Sequence, residues 1–381
     1  MDHITFLVAM VIVTALAFDF TNGFHDTANA MATSIATKAL RPKVAVLISG
    51  VLNVVGAFLS TEVAKTISGG IVNDSLVTPG MIFAGLIGAI LWNLTTWLLG
   101  LPSSSSHALF GGLIGAVWVG AGQQGVHFEK VVEKILLPAV ASPLIAGVAA
   151  LAATYLAYRL TRRGRETSVD HGFRLGQIAS ASLVSLAHGT NDAQKTMGVI
   201  TLTLISAGAL APDSGPPLWV IGSAGLAIGL GTYLGGWRII RTMGRGLTDI
   251  RAPQGFAAES SATTVILTSA HLGFALSTTQ VCAGGILGAG LGRRLAQVRW
   301  GTAGRMVIAW CVTLPAAAAV GALAASVVVH GGTFGIVVVS VVAAALAAFI
   351  FVMSRRTPVT SRNVNDDHAV TVRPGPAKAN V

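Results

Sequence analysis

Charge is what this chain has least of. Asp, Glu, Lys and Arg together make up 10% of its 381 residues, against about 25% in a soluble globular domain. With 53% hydrophobic residues and a mean hydropathy of +0.72, it is too apolar to bury itself in one water-soluble core. Cysteine is nearly absent. Cys282 and Cys311 lie in apolar stretches without metal-type spacing, which speaks against a disulfide framework. No Walker-type Gly-Lys-Ser/Thr motif occurs, and no long polar insertion could house a nucleotide-binding domain, so ATP is not the expected energy source. Met1-Asp2-His3 offers no basic n-region, so the first apolar run is read as a retained membrane segment. The net charge of +10 would suit nucleic acid. However, the arginines sit in connections between apolar runs, not on one basic face with stacking aromatics, and no nucleic-acid partner is expected.

Long apolar runs are plentiful: 43–60, 81–100, 135–158, 217–237, 304–328 and 333–353. Each approaches or exceeds the roughly 17–25 residues that span a bilayer. The chain is expected to be an all-α, multi-pass protein of the inner (plasma) membrane, with the lipid bilayer as its first partner. Basic connections cluster at Lys38-Arg41-Lys43, Arg159–Arg165, Arg238–Arg251, Arg293–Arg299 and Arg355-Arg356, whereas 61–80, 207–216 and 329–333 share only Lys65. Placing the basic loops in the cytoplasm requires two re-entrant hairpins and an odd number of crossings per half. The two halves are then inverted in topology, with the amino terminus outside. The expected organisation is repeat 1 over 1–158, a linker over 159–172, repeat 2 over 173–328, an extra helix over 329–353 and a disordered cytoplasmic tail over 354–381.

The halves are tied together by a duplicated polar pattern. Gly23-Phe24-His25-Asp26-Thr27-Ala28-Asn29-Ala30 precedes Pro102-Ser103-Ser104-Ser105-Ser106-His107; Gly189-Thr190-Asn191-Asp192-Ala193-Gln194-Lys195 precedes Ala275-Leu276-Ser277-Thr278-Thr279-Gln280. The two copies keep register at offsets of about 166 and 173 residues. Matched polar interruptions in two apolar halves point to the binding site of a secondary transporter. Asp26 and Asp192 are costly at membrane depth, at least about 2.5–3.5 kcal/mol each. Glycine beside them suggests broken helices in which the two carboxylates bind a coupling cation, H⁺ or Na⁺. Their plainer reading is as interfacial helix caps.

The Ser-rich turns would aim helix amino termini at an anion, with Ser104, Ser105, Ser106, Ser277, Thr278 and Thr279 adding hydroxyl donors; plain helix packing is the alternative for those serines. Lys195, whose counterpart is Asn29, can pair with Asp192 or touch the substrate. His25 and His188 can relay protons or serve as scaffold. Glu259, alone in an apolar helix, needs a partner or a proton. Asp19, nearer the interface, is given no role. An intramembrane serine hydrolase is disfavoured: Ser106 and His107 are adjacent and diverge on a helix, and the second copy has Gln280. No enzymatic activity is expected.

These motifs resemble those of the PiT inorganic phosphate transporters. Gly23–Ala30 is similar to that family's first signature, His188–Gly198 to its second, and Pro102–His107 and Ser277–Thr279 to its two Ser/Thr hairpins; together they cover about residues 10–350. The resemblance implies symport of inorganic phosphate with a cation and no bound cofactor. It carries the family's functional positions to Asp26, Asp192, Ser104, Ser277, His188 and Glu259, with Asn191 beside the second aspartate. Asn53 stands where some members have glutamate. His25-Asp26 together with Asn53 looks like the proton-coupled bacterial branch, whose members are thought to take phosphate with a divalent ion such as Mg²⁺. A Na⁺-coupled symporter and a sulfate permease of the same architecture are the alternatives, and a homodimer is left open. Ala275 and Gln280 depart from the pattern, which has Pro and His there, and put the second hairpin's geometry in question.

Overall fold

The computed structural model describes residues 6–293 and 298–366. Thirteen α-helices follow in order: α1 (Phe6–Ala36), α2 (Pro42–Ala57), α3 (Glu62–Gly70), α4 (Pro79–Leu99), α5 (Ser105–Ala121), α6 (Phe128–Val131) and α7 (Leu137–Thr161), then α8 (Glu166–Ser206), α9 (Leu218–Leu234), α10 (Trp237–Arg241), α11 (Ala252–His271), α12 (Thr278–Leu291) and α13 (Trp300–Arg355). The described residues contain no strand, only two isolated β-bridges. Among the described residues, four helices are long and apolar enough to cross a membrane: Phe6–Ala36, Pro79–Leu98, Phe128–Thr161 and Trp300–Arg355. The pair Leu218–Leu234 and Trp237–Gly246, bent by 61°, makes a fifth. α8 fails on hydropathy because it carries the second polar motif, although its 41 residues extend about 60 Å.

Local chemistry fixes many helix ends. At α4, Thr78 accepts a hydrogen bond from the Met81 amide, Pro79 opens the helix, and Gly100 closes it at φ 64°, ψ 27° with its N–H returned to Thr96 and Trp97. Proline at the start and left-handed glycine at the end are the residues those positions favour.

Polarity is arranged inside out. Leu144, Val148 and Leu160 on α7, Leu218 and Leu226 on α9, and Leu323, Val341 and Phe349 on α13 are exposed. Asp19, His25, Asp26, His188, Asp192, Lys195 and Glu259 are all at most 3% exposed. A water-soluble fold does the reverse, so the apolar exterior belongs against lipid.

The halves exchange helices. α1 packs on α9 and α8 on α2, and small residues make each crossing close, as between membrane helices generally. A Cβ on Gly23 would meet the Ile228 carbonyl at 2.3 Å, and one on Gly189 the Asn53 carbonyl at 2.3 Å. The reciprocal contacts match: Gly231 faces Phe20, and Gly56 faces Leu186. α1 and α8 also lie antiparallel: Thr37 bonds Gln177 at 2.7 Å, while Asp26 lies by His188 further along.

Several expectations need correction. The helices run unbroken through Asp26 and Asp192, because Gly23 and Gly189 serve close helix approach and no proline interrupts either motif. Chain breaks fall instead before α5 and α12, at Gly235-Gly236, and at Gly332 (φ 52°, ψ −133°) within α13. Gly335 packs against the Val327 carbonyl; eight residues of straight helix would hold them about 12 Å apart, so the chain turns back there. The linker is shorter than 159–172, since α7 reaches Thr161 and α8 starts at Glu166. The tail is held down as far as residue 366. Arg238 donates to the carbonyls of Ser354 (2.9 Å) and Thr357 (2.5 Å), Arg241 to that of Asn363 (2.5 Å), and Val364 is 2% exposed. The rest of the expected tail, 367–381, lies outside the described residues.

Candidate substrate and cation site

The two Ser/Thr turns are built alike. Ser104 (φ −90°, ψ 105°) caps α5 and accepts from the His107 amide at 3.1 Å; Ser277 (φ −85°, ψ 103°) caps α12 and accepts from the Gln280 amide at 3.3 Å. The loss of proline at Ala275 leaves this geometry intact, because the cap hydroxyl sets it. It also changes the roles expected of the serines. Ser104 and Ser277 spend their side chains on their own helices, and their neighbours face the aspartates.

Ser105 Oγ donates to Asp26 Oδ2 at 2.5 Å, and its repeat counterpart Thr278 Oγ1 donates to Asp192 Oδ2 at 3.0 Å. Thr279 crosses between halves to Asp26 Oδ1 at 3.2 Å, and Asn29 Nδ2 reaches Thr278 and Thr279 at 3.2 and 3.1 Å. The hairpin tips touch through Ser106 Oγ, which donates to the Leu276 carbonyl at 3.1 Å. Two aspartates from two helices and two hairpin tips thus meet in one buried cluster, as the duplicated motifs led us to expect.

Lys195 ties that cluster together. Its ammonium donates to Asp192 Oδ1, to Ser106 Oγ at 2.6 Å and to the Leu276 carbonyl at 3.0 Å, using all three of its protons. Of the two roles considered for it, pairing with Asp192 is the one present. Asn191 Nδ2 also donates to Asp192 Oδ1 (2.8 Å) and to Leu276 (3.2 Å).

The two histidines differ. His25 is fully engaged: Nδ1 lies 2.6 Å from Asp26 Oδ1, and Nε2 lies 3.2 Å from Thr96 Oγ1 and 3.3 Å from Ser103 Oγ. His188 bridges the halves, with Nε2 at 3.1 Å from Asp192 and 4.0 Å from Asp26, and Nδ1 at 3.0 Å from Asn53 Oδ1. Asn53 in turn donates to Thr232 at 2.8 Å. It therefore orients His188 and does not meet the aspartates. Asp26, His188 and Asp192 offer one ligand atom each within 4.8 Å of one another, a spacing that suits a shared cation.

Glu259 stands apart. Its Oε1 accepts from Thr33 (2.5 Å), Ser34 (2.7 Å) and Gln177 (3.2 Å), and its Oε2 from Ser180 (2.5 Å). All four donors lie on α1 and α8, about two turns along from Asp26 and about three to four turns along from Asp192. Gln177, Ser180 and Thr33 were not singled out by motif reading. Each is an ordinary polar residue in a helix, and only the fold shows that they converge.

A fold of membrane-crossing helices around a closed polar centre of carboxylates, hydroxyls and one ammonium defines a polytopic membrane transport protein. A family model described as "Phosphate transporter family" matches residues 22–170 and 161–321, and the chain belongs to that family. A relative from Mycobacterium bovis (strain ATCC BAA-935 / AF2122/97), named "Probable low-affinity inorganic phosphate transporter", is 58% identical over 364 residues, spanning 95% of this chain and 87% of its own length. A Bacillus subtilis (strain 168) relative of the same name is 42% identical over 329 residues, 85% of this chain and 98% of its own. The chain also resembles a solved structure titled "The sodium-dependent phosphate transporter", with a TM-score of 0.76 and 24% identity over 85% of this chain and 99% of that one. At that identity the likeness speaks for the fold alone.

Proposed function

We propose that this chain imports inorganic phosphate by symport with a cation, a proton in the first instance. The observation that carries the reading is the meeting of both hairpin tips with both aspartates across His188. The helix dipoles and hydroxyls of α5 and α12 favour an anion there, and the carboxylates of Asp26 and Asp192 supply the charge that a cation must offset.

In the conformation described, Ser105, Thr278 and Thr279 are bonded to carboxylates. To meet a phosphate they must exchange those partners for its oxygens, so substrate entry and cation entry are linked. A proton or metal ion on Asp26 and Asp192 weakens their hold on the hydroxyls and frees the donors for the anion. The antiparallel α1–α8 pairing and the exchanged α1–α9 and α2–α8 contacts support inverted repeats, whose rocking would alternate access.

Phosphate suits the cluster better than sulfate. Oδ1 of Asn29 and Oδ1 of Asn191 are buried acceptors without a donor, and a buried acceptor left unmet is costly. Monohydrogen phosphate brings a P–OH that can donate; sulfate at neutral pH brings none. A divalent ion such as Mg²⁺, arriving with phosphate as cargo, would find carboxylate oxygens at Asp26 and Asp192.

Sodium coupling is the second reading, favoured by the solved relative's title and by the same trio of ligand atoms. Labelled phosphate uptake into proteoliposomes under separate proton and sodium gradients decides between them. Proton-driven accumulation that excess sulfate does not inhibit supports the first reading. Sodium-driven accumulation supports the second, and sulfate inhibition supports a permease.

A further inference from the structure

Acidic chemistry meets α1 at three levels, seven residues apart. Thr33 bonds Glu259 at one level, Asp26 forms the next and Asp19 the third. Seven residues are about two turns, or 10.5 Å, and return to the same face. α8 runs the opposite way beside it, presenting Ser180, then His188 and Asp192, then Thr196. At the Glu259 and Asp26 levels both carboxylates accept several hydrogen bonds. The carboxylate of Asp19 does not.

Asp19 is 0% exposed. Among the described residues neither of its oxygens meets a donor in full hydrogen-bond geometry, and Asn22 Oδ1 and Thr196 Oγ1 are likewise unpartnered, although Asn22 and Thr196 stand close enough to Asp19 to bond it after small rotations. The charged groups facing it are Asp192 and His188 on α8. His188 is already engaged by Asp192 and Asn53, and Lys195 by three acceptors. α4 contributes no titratable side chain, and the single one on α9, Tyr233, is exposed. Among the described residues no cation is therefore free to pair with a carboxylate at Asp19.

Four orphaned oxygens in one buried place call for a common explanation. A single proton supplies it. A neutral Asp19 donates its O–H to Asn22 Oδ1 and accepts from Thr196 Oγ1 on its carbonyl oxygen, with small side-chain rotations. A hard cation would need about six oxygens, more than these three residues offer.

We propose that Asp19, with Asn22 and Thr196, is a proton-binding site that feeds the Asp26–His188–Asp192 cluster. Delivery of that proton depends on the charge of the cluster, because a carboxylate left at Asp19 would face both Asp192 and His188. The delivery step rests on the symport reading; the proton site itself does not.

The test therefore begins without phosphate. Infrared difference spectra of the full-length protein in liposomes, recorded across pH, should contain the carbonyl band of a buried neutral carboxylic acid. That band should vanish in Asp19→Asn, shift in Thr196→Val and persist, displaced, in Asp19→Glu. In uptake assays each co-transported proton multiplies the accumulation ratio by about ten per pH unit. Asp19→Asn should thus lower pH-driven accumulation about tenfold per unit relative to phosphate exchange. A band unchanged in Asp19→Asn overturns the proposal, and so does a wild-type band that disappears on adding sodium. A band that behaves as expected in protein that accumulates no phosphate would uphold the proton site and sink the symport reading instead.

Discussion

Ser105 donates to Asp26 at 2.5 Å, and Thr278, its counterpart in the other half, donates to Asp192 at 3.0 Å. The same hairpin position meets the same motif carboxylate twice. Hydrogen bonds to a buried charge are worth roughly 1.5–3 kcal/mol, enough to hold the hairpin tips on the aspartates and weak enough to exchange for a bound anion.

Adjacent serines should therefore behave differently. Ser104→Ala removes a helix cap and is expected to cost about 1 kcal/mol of stability. Ser105→Ala leaves the cap in place but removes a donor bonded to the buried Asp26, so it should cost about 1.5–3 kcal/mol of stability and also weaken phosphate affinity, which Ser104→Ala should leave nearly unchanged. Thermal unfolding in detergent together with uptake kinetics separates the two. Equal effects of both substitutions on affinity would contradict the division.

Removing Lys195 should harm the fold before it harms anything else. Lys195→Met strands a buried Asp192, a loss of about 3–5 kcal/mol for a broken buried pair. Adding Asp192→Asn should restore much of that stability without restoring uptake. Lys195→Arg should not rescue, because a planar guanidinium cannot reproduce three converging ammonium bonds. Melting curves of the single and double variants check this.

Glu259 gathers four donors from two helices. Glu259→Gln replaces one acceptor oxygen with an NH₂ that faces donors, and it should lower stability by about 1–3 kcal/mol and reduce uptake. Ser180→Ala, which removes a single donor, should cost about 1 kcal/mol. A Glu259→Gln protein with unchanged melting and uptake would show that the network is dispensable.

Two glycines give a sign test. Alanine is favoured over glycine in a helix by about 1 kcal/mol. At Gly301, where a Cβ would meet nothing within 4 Å, the substitution should stabilise. At Gly23 the same atom would lie 2.3 Å from the Ile228 carbonyl, and overpacking of about 1–3 kcal/mol should reverse the sign. Melting temperatures of Gly23→Ala and Gly301→Ala read it directly.

Much of the site was legible because it is written twice. The register of Asp26 with Asp192 and of Ser104 with Ser277 could be read without coordinates, and the residues so marked do converge. Composition marked the apolar exterior equally well. What could not be read was which hydroxyl of each turn points inward, since capping geometry turns Ser104 and Ser277 away and presents Ser105 and Thr278. The glycines beside the aspartates misled in the same way, since glycine marks close helix contact as readily as a break. Asp19, Gln177 and Ser180 sit in no repeated motif, and their place is set by the α1–α8 pairing. The anchoring of residues 356–366 by Arg238 and Arg241 joins segments more than a hundred residues apart, which local sequence does not reveal.

The most direct test of the central claim is accumulation of labelled phosphate in proteoliposomes, driven by an imposed proton gradient, for wild type and for Asp26→Asn. Symport through the aspartate–hairpin cluster requires uphill accumulation in wild type and its loss in Asp26→Asn protein that melts normally. Uphill accumulation that survives Asp26→Asn would contradict it.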